Sequence, residues 1–184
     1  MMTNLSTHHH ETPPRSDHRL SSAPITFVGG SKEWFSGSGQ NILIKAVIDE
    51  FCPRYTPGGF VCYLGDAGEK ITKEEHDYLS GLNLKLDAHG KMPDVIVHLK
   101  AKNWLVLIEA VTSHGPIDNK RKHELEKRFA DATADLVFIN AFSTRESMTE
   151  CLDAISWGTH VWLAESPTHL IHFDGEKFLG PYKP

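Results

Sequence analysis

The chain is short of cysteine, of long apolar runs and of positive charge, and each shortage closes off a class of protein. Cys52, Cys62 and Cys151 are the only cysteines in 184 residues, and no two are spaced as CxxC. Such thiols fit a reducing, cytoplasmic setting better than a disulfide framework or a zinc site. No segment is apolar enough over about 20 residues to cross a membrane, and the N-terminal residues do not read as a secretory signal. The net charge of −5 argues against indiscriminate binding to nucleic acid. Neither GxxxxGK nor GxGxxG occurs, so Gly29, Gly30, Gly37 and Gly39 read as a flexible lead and not as a phosphate loop.

What is present suits one globular domain. With 40% hydrophobic residues in 184, the chain can bury a single full core. Residues 1–24, including His8, His9, His10, Pro13 and Pro14, are too polar to bury and are expected to form a disordered tail before a domain over 25–184. Ile42, Ala46, Val47 and Phe51 give a helical stripe that Pro53 should stop. Strands are expected at Phe60–Leu64, Asp135–Phe142, His160–Ala164 and Leu170–Phe173. The last should turn at Asp174-Gly175 into Lys177–Leu179. Helices are expected over Lys73–Leu79, ended by Gly81, and from a Ser143 cap to about Ile155. The resulting fold class is α/β, a central mixed β-sheet with helices on both faces.

Two acidic residues stand where acids are costly. Asp94 opens the run Val95-Ile96-Val97-His98-Leu99, and Glu109 ends the run Trp104-Leu105-Val106-Leu107-Ile108. Both runs read as strands covered on two faces, and a charge entering such a strand needs compensation. If Lys100 pairs with Asn103 around a two-residue turn, Asp94 falls opposite Glu109. A four-residue loop keeps the two acids on one face, whereas a three-residue loop separates them. Opposed side chains in a hairpin lie about 4.5–5.5 Å apart at Cβ. Carboxylates that close repel unless a cation lies between them, and an all-oxygen site suits magnesium or manganese. The charge distribution points the same way. Residues 91–130 hold eight Lys and Arg against five Asp and Glu, while the remainder holds 11 against 19.

The segment also resembles a known family. Pro93-Asp94, followed by Glu109-Ala110-Val111, is similar to the PD-(D/E)xK nuclease core. The run from Gly90 to Pro116, above all Glu109-Ala110-Val111-Thr112-Ser113-His114-Gly115-Pro116, resembles the BsuBI/PstI group of type II restriction endonucleases. The segments Asn41 to Arg54, Val161 to Glu165 and His172 to Pro181 fit the same group, so the likeness covers about residues 37–182. It implies an αβββαβ core that hydrolyses double-stranded DNA with Mg2+. Characterised members cut the palindrome CTGCAG, for which a homodimer is expected. It also implies metal ligation by Asp94, Glu109 and the Ala110 carbonyl. Glu50 is a candidate third acid by analogy with upstream acids in some relatives, and Asp66 a candidate at the end of the Phe60–Leu64 strand.

Val111 stands where that superfamily has lysine. The lysine's task is to hold positive charge near the attacked phosphate, and the nearest supply is Lys120, Arg121 and Lys122, on a helix started by Asp118 or Pro116. Arg121 and Lys122 precede the buried Leu125 by four and three residues and are placed to reach inward. Lys120 points to the flank by this count, although the resemblance places a Lys-Arg pair at Lys120-Arg121. All three are candidates for catalysis or phosphate binding, and His114 is a candidate DNA contact. Two other classes stay open. One is a silent DNA- or protein-binding remnant, because characterised relatives are longer, with an additional N-terminal region. The other is a hydrolase using Ser113-His114, disfavoured because neighbours on an extended chain point apart.

Overall fold

The computed structural model describes residues 23–30, 39–65, 71–84 and 91–174. Its β-branched and aromatic runs form seven strands: β1 (Thr26–Phe27), β2 (Phe60–Leu64), β3 (Val95–Leu99), β4 (Trp104–Ala110), β5 (Asp135–Phe142), β6 (Thr159–Leu163) and β7 (Leu170–Phe173). They lie side by side in chain order. β1–β2, β4–β5 and β5–β6 are parallel, and the other three pairs are antiparallel. The sheet is mixed, as expected.

Helices cover both faces. The first helical segment comprises α1 (Gly39–Ala46), a wide π turn (Val47–Phe51) and α2 (Cys52–Tyr55). Its Leu43, Ile44, Val47, Ile48 and Phe51 pack on Val95, Val97, Val106, Ile108 and Trp162. On the opposite face, α3 (Lys73–Gly81) and α4 (Asn119–Arg128) bring Leu79 and Leu125 against Ile96, Leu105, Leu107 and Phe138. β3 and β4 are therefore covered on both sides, which is why their sequences are continuously apolar. Among the described residues no helix is long and apolar enough to cross a membrane.

Three local expectations need correction. The first helix buries Val47 and Phe51 as expected, but its stripe begins with Leu43 and Ile44 and leaves Ile42 68% exposed. Pro53 does not end that helix. It occupies the first turn of α2, where a missing N–H costs little, and the preceding turn widens to accommodate it. The cap after β5 is Thr144, not Ser143, and α5 (Arg145–Thr149) is short because turns take over beyond it. The expected tail lies outside the described residues except for its last two, of which Ala23 accepts a bond from the Gly58 N–H at 3.1 Å. The Gly175 turn position and Lys177–Leu179 also lie outside them.

The central hairpin takes the register of the two-residue turn. Val95 pairs with Ile108 and Leu99 with Trp104. The turn closes through the Asn103 N–H to the Lys100 carbonyl at 3.2 Å, with Asn103 left-handed at φ 54°. The start of the first helix's stripe is testable in urea. Ile44→Ala is expected to cost about 2–5 kcal/mol, and Ile42→Ala to change stability by less than about 0.5 kcal/mol. Similar losses from both would place the helix in the wrong rotation.

Candidate active site

The ladder of β3 and β4 ends at Val95 and Ile108, and Asp94 and Glu109 follow as the next opposed positions. The Asp94 carbonyl still accepts the Gly65 N–H at 2.7 Å beyond β2, while its side chain serves the β4 edge. Its Oδ2 accepts the Ala110 N–H at 2.7 Å, and its Oδ1 accepts Gln40 Nε2 at 2.8 Å. A residue's N–H and C=O point to one edge of its strand. The Ala110 carbonyl is therefore aimed to the same side as Asp94, while the Val111 N–H serves β5 through Ala141.

Glu109 lies on the α4 side of the sheet with its side chain 16% exposed. Arg121, 17% exposed, donates to Glu109 Oε1 from Nε at 2.9 Å and from Nη2 at 2.7 Å. The same guanidinium donates to the Lys91 and Met92 carbonyls at 3.2 and 3.3 Å, tying α4 to the segment that leads into Asp94. Two bonds hold Arg121 on station. Asp118 caps α4 through the Arg121 N–H at 2.6 Å, and the fully buried Asn140 accepts the Ile117 N–H at 2.6 Å. Asn140 is the β5 partner of Glu109. One row of the sheet thus fixes both the carboxylate and the loop that delivers its cation.

Burial raises both carboxyls. Glu109 is pushed up to about 7, first by desolvation and then by the neighbouring Asp94 charge, against the opposing pull of Arg121. Asp94 is also raised by burial, with the Ala110 N–H, Gln40, Glu109 and Arg121 working the other way. The two carboxyls lie within hydrogen-bonding reach of each other. They face a cavity of about 410 Å³ lined by Gln40, Asp94, Glu109, Ala110, His114 and Arg121, among others.

Other candidates are placed differently. Lys120 is 84% exposed and 4.0 Å from Glu124. Lys122 is turned from the carboxylates toward the start of β6, donating to the Trp157 carbonyl at 3.1 Å and lying 3.6 Å from Glu126. The structure therefore brings Arg121, and neither lysine, to the acids. Glu50 pairs with Arg54 at 2.5 Å and does not line the cavity. Asp66 lies outside the described residues. Val111 is buried with Phe142, Met148, Val161 and Leu163, so the superfamily's lysine position is here part of the core. The Ser113 and His114 side chains do meet, at 3.3 Å, contrary to expectation, because the chain bends there and is not extended. Both are exposed.

Gln40 and Asn140 were not singled out in the sequence. Gln40 carried a usable signal: counting back three and four from Leu43 and Ile44 along the corrected stripe reaches position 40, a polar residue on an apolar face. Asn140, inside an apolar strand, carried the same kind of signal as Glu109.

The donor set fits a hard cation. Among the described residues no group of three or more His, Cys, Asp or Glu side chains is placed to hold a metal. Magnesium often binds through one or two carboxylates and keeps several waters, so Asp94, Glu109 and the Ala110 carbonyl would suffice.

Known proteins carry the same arrangement of chain. Residues 23–176 match the family model of the BsuBI/PstI restriction endonuclease domain. The type II restriction enzyme BsuBI of Bacillus subtilis is 48% identical over 160 residues, which is 87% of this chain and 51% of that enzyme. The type II restriction enzyme AplI of Arthrospira platensis is 28% identical over 148 residues, 77% of this chain and 45% of that enzyme. The solved structure of SdaI restriction endonuclease superposes with a TM-score of 0.74 at 45% identity, covering 81% of this chain and 47% of that one. The chain spans about half the length of the curated relatives it matches.

The raised Glu109 makes stability depend on pH. Its value is about 7 folded against 4.5 for the free group, so the folded state binds the extra proton between them. Its stabilising contribution is fully present below about 4.5 and is lost as pH rises through 7. Glu109→Gln cannot ionise. In chelator, its stability relative to wild type is expected to rise by on the order of 1–3 kcal/mol from pH 4.5 to 8, measured by urea unfolding. A difference that is flat with pH would contradict the assignment.

Proposed function

This chain belongs to the BsuBI/PstI restriction endonuclease domain family, and from that premise we propose that it is the catalytic domain of a magnesium-dependent type II restriction endonuclease acting on double-stranded DNA. The observation that carries this is the convergence of Asp94, Glu109 and Arg121 on one cavity.

Asp94, Glu109 and the Ala110 carbonyl would hold the ion. Bound there, magnesium supplies an acidified water and a polarised phosphoryl oxygen. The protein's own work is positioning and electrostatics. Asp94 and Glu109 bring their carboxyl groups to one cavity from the ends of β3 and β4, where a bound cation would hold both in the charged form. The Arg121 guanidinium lies against that charge, and its forked donors match a phosphate as well as a carboxylate. It takes the role of the lysine absent at Val111, stabilising the charge that develops on the attacked phosphate. Lys120, exposed on the first turn of α4, and His114, exposed beside the cavity, are suited to the DNA backbone. Lys122 is reserved for the same role only if it leaves Trp157. Glu50 is held by Arg54, so an acidic contribution from it requires breaking that pair.

The family's target, CTGCAG, is a palindrome, and cutting both strands symmetrically calls for a homodimer. A cytoplasmic location fits the three free thiols. A second reading, a binding remnant without catalysis, is favoured by Val111 in place of the lysine.

Supercoiled plasmid separates the two. Wild type is expected to nick and linearise it with Mg2+ and to stop in chelator. Asp94→Ala and Glu109→Ala should each lose at least about a hundredfold, and Arg121→Ala about 10²–10³-fold. Survival of activity in both acid variants would reject the site. A wild type inert with both Mg2+ and Mn2+ would favour the remnant.

A further inference from the structure

Gln40 meets the site from the sheet face opposite to Arg121. It stands in the first turn of α1, whose next turns are anchored on the sheet by the buried Leu43, Ile44, Val47 and Ile48. That anchoring fixes where position 40 sits. Its Nε2 reaches Asp94 Oδ1, 54 residues further along the chain, at 2.8 Å. The other carboxylate oxygen is held by the Ala110 N–H. With one donor on each oxygen, the Asp94 carboxylate can rotate about neither its Cβ–Cγ bond nor its strand without breaking a bond.

Both donors on Asp94 are neutral, and this differs from Glu109, whose donor is a guanidinium. A neutral amide orients a carboxylate without cancelling its charge. Asp94 is thus bonded to no cation and feels the Arg121 charge only through space, while Glu109 is bonded to that guanidinium directly. We propose that Gln40 is a positioning residue, a neutral clamp that sets the orientation of Asp94 for metal binding and catalysis. It acts through Asp94 and does not itself touch the substrate. The inference rests on the functional reading above.

The test uses the full chain with Gln40→Met, which keeps the length of the side chain without the donor. The readouts are thermal unfolding in chelator, Mn2+ affinity by EPR, and plasmid cleavage resolved into kcat and KM. For Gln40→Met we expect a Tm close to wild type, a 10–100-fold weaker Mn2+ affinity and a kcat lowered about as much, with KM for DNA unchanged. Wild-type Mn2+ affinity and kcat in Gln40→Met would overturn the proposal. A wild type that binds Mn2+ but cuts nothing would reject the nuclease reading alone and leave the affinity comparison to decide on Gln40. A wild type that neither binds Mn2+ nor cuts would end both.

Discussion

Everything around the site follows from the cost of burying two carboxyl groups side by side. Desolvation alone raises both, and their mutual repulsion adds to it on Glu109. The fold answers with several partners drawn from both layers: a backbone N–H from Ala110, an amide from α1, and a guanidinium from α4. Each partner needs its own support. Arg121 depends on the Asp118 cap and on Asn140 beneath the loop, and Gln40 depends on the apolar turns that seat α1. Much of the local architecture is thus second-order consequence of one electrostatic problem.

The hairpin and its acids were legible because strand pairing is arithmetic. Once the turn at Lys100–Asn103 is fixed, every later pair follows, including the opposition of Asp94 and Glu109. β5 was equally plain, an apolar run bounded by polar residues. The helix before β2 was less so. Ile42 and Leu43 are both apolar, and only the three-dimensional seat on the sheet decides which is buried. The Thr144 cap escaped for a similar reason, since Ser143 and Thr144 are adjacent and chemically interchangeable as caps. Counting from Leu125 left Arg121 and Lys122 equal. The structure separates them, because the fork of Arg121 finds Glu109 and two carbonyls, while Lys122 finds Trp157. Gln40 could be recognised only after the stripe was phased correctly.

Val111 brings no charge to the site, and the guanidinium beside the acids comes from a different element. The strand position that carries lysine in the superfamily is here sealed by Phe142, Met148 and Val161, so any cation must arrive from elsewhere. It arrives from the first turn of α4, 12 residues after Glu109 in sequence. The substitution is not merely of position. A guanidinium offers several donors in a plane, whereas a lysine offers one point charge.

Because each strand lies next to its predecessor, no strand must later be threaded between two earlier ones. Near neighbours in sequence meet first, so the β3–β4 hairpin forms from a short segment, and Asp94 and Glu109 approach each other as it closes. The hairpin carries the Ala110 N–H to Asp94 as it closes, and Arg121 lies only 12 residues beyond Glu109, so two partners of the acids are near at hand in sequence. Gln40, 54 residues before Asp94, is the partner that depends on a distant segment, and its bond closes only once α1 is seated on the sheet.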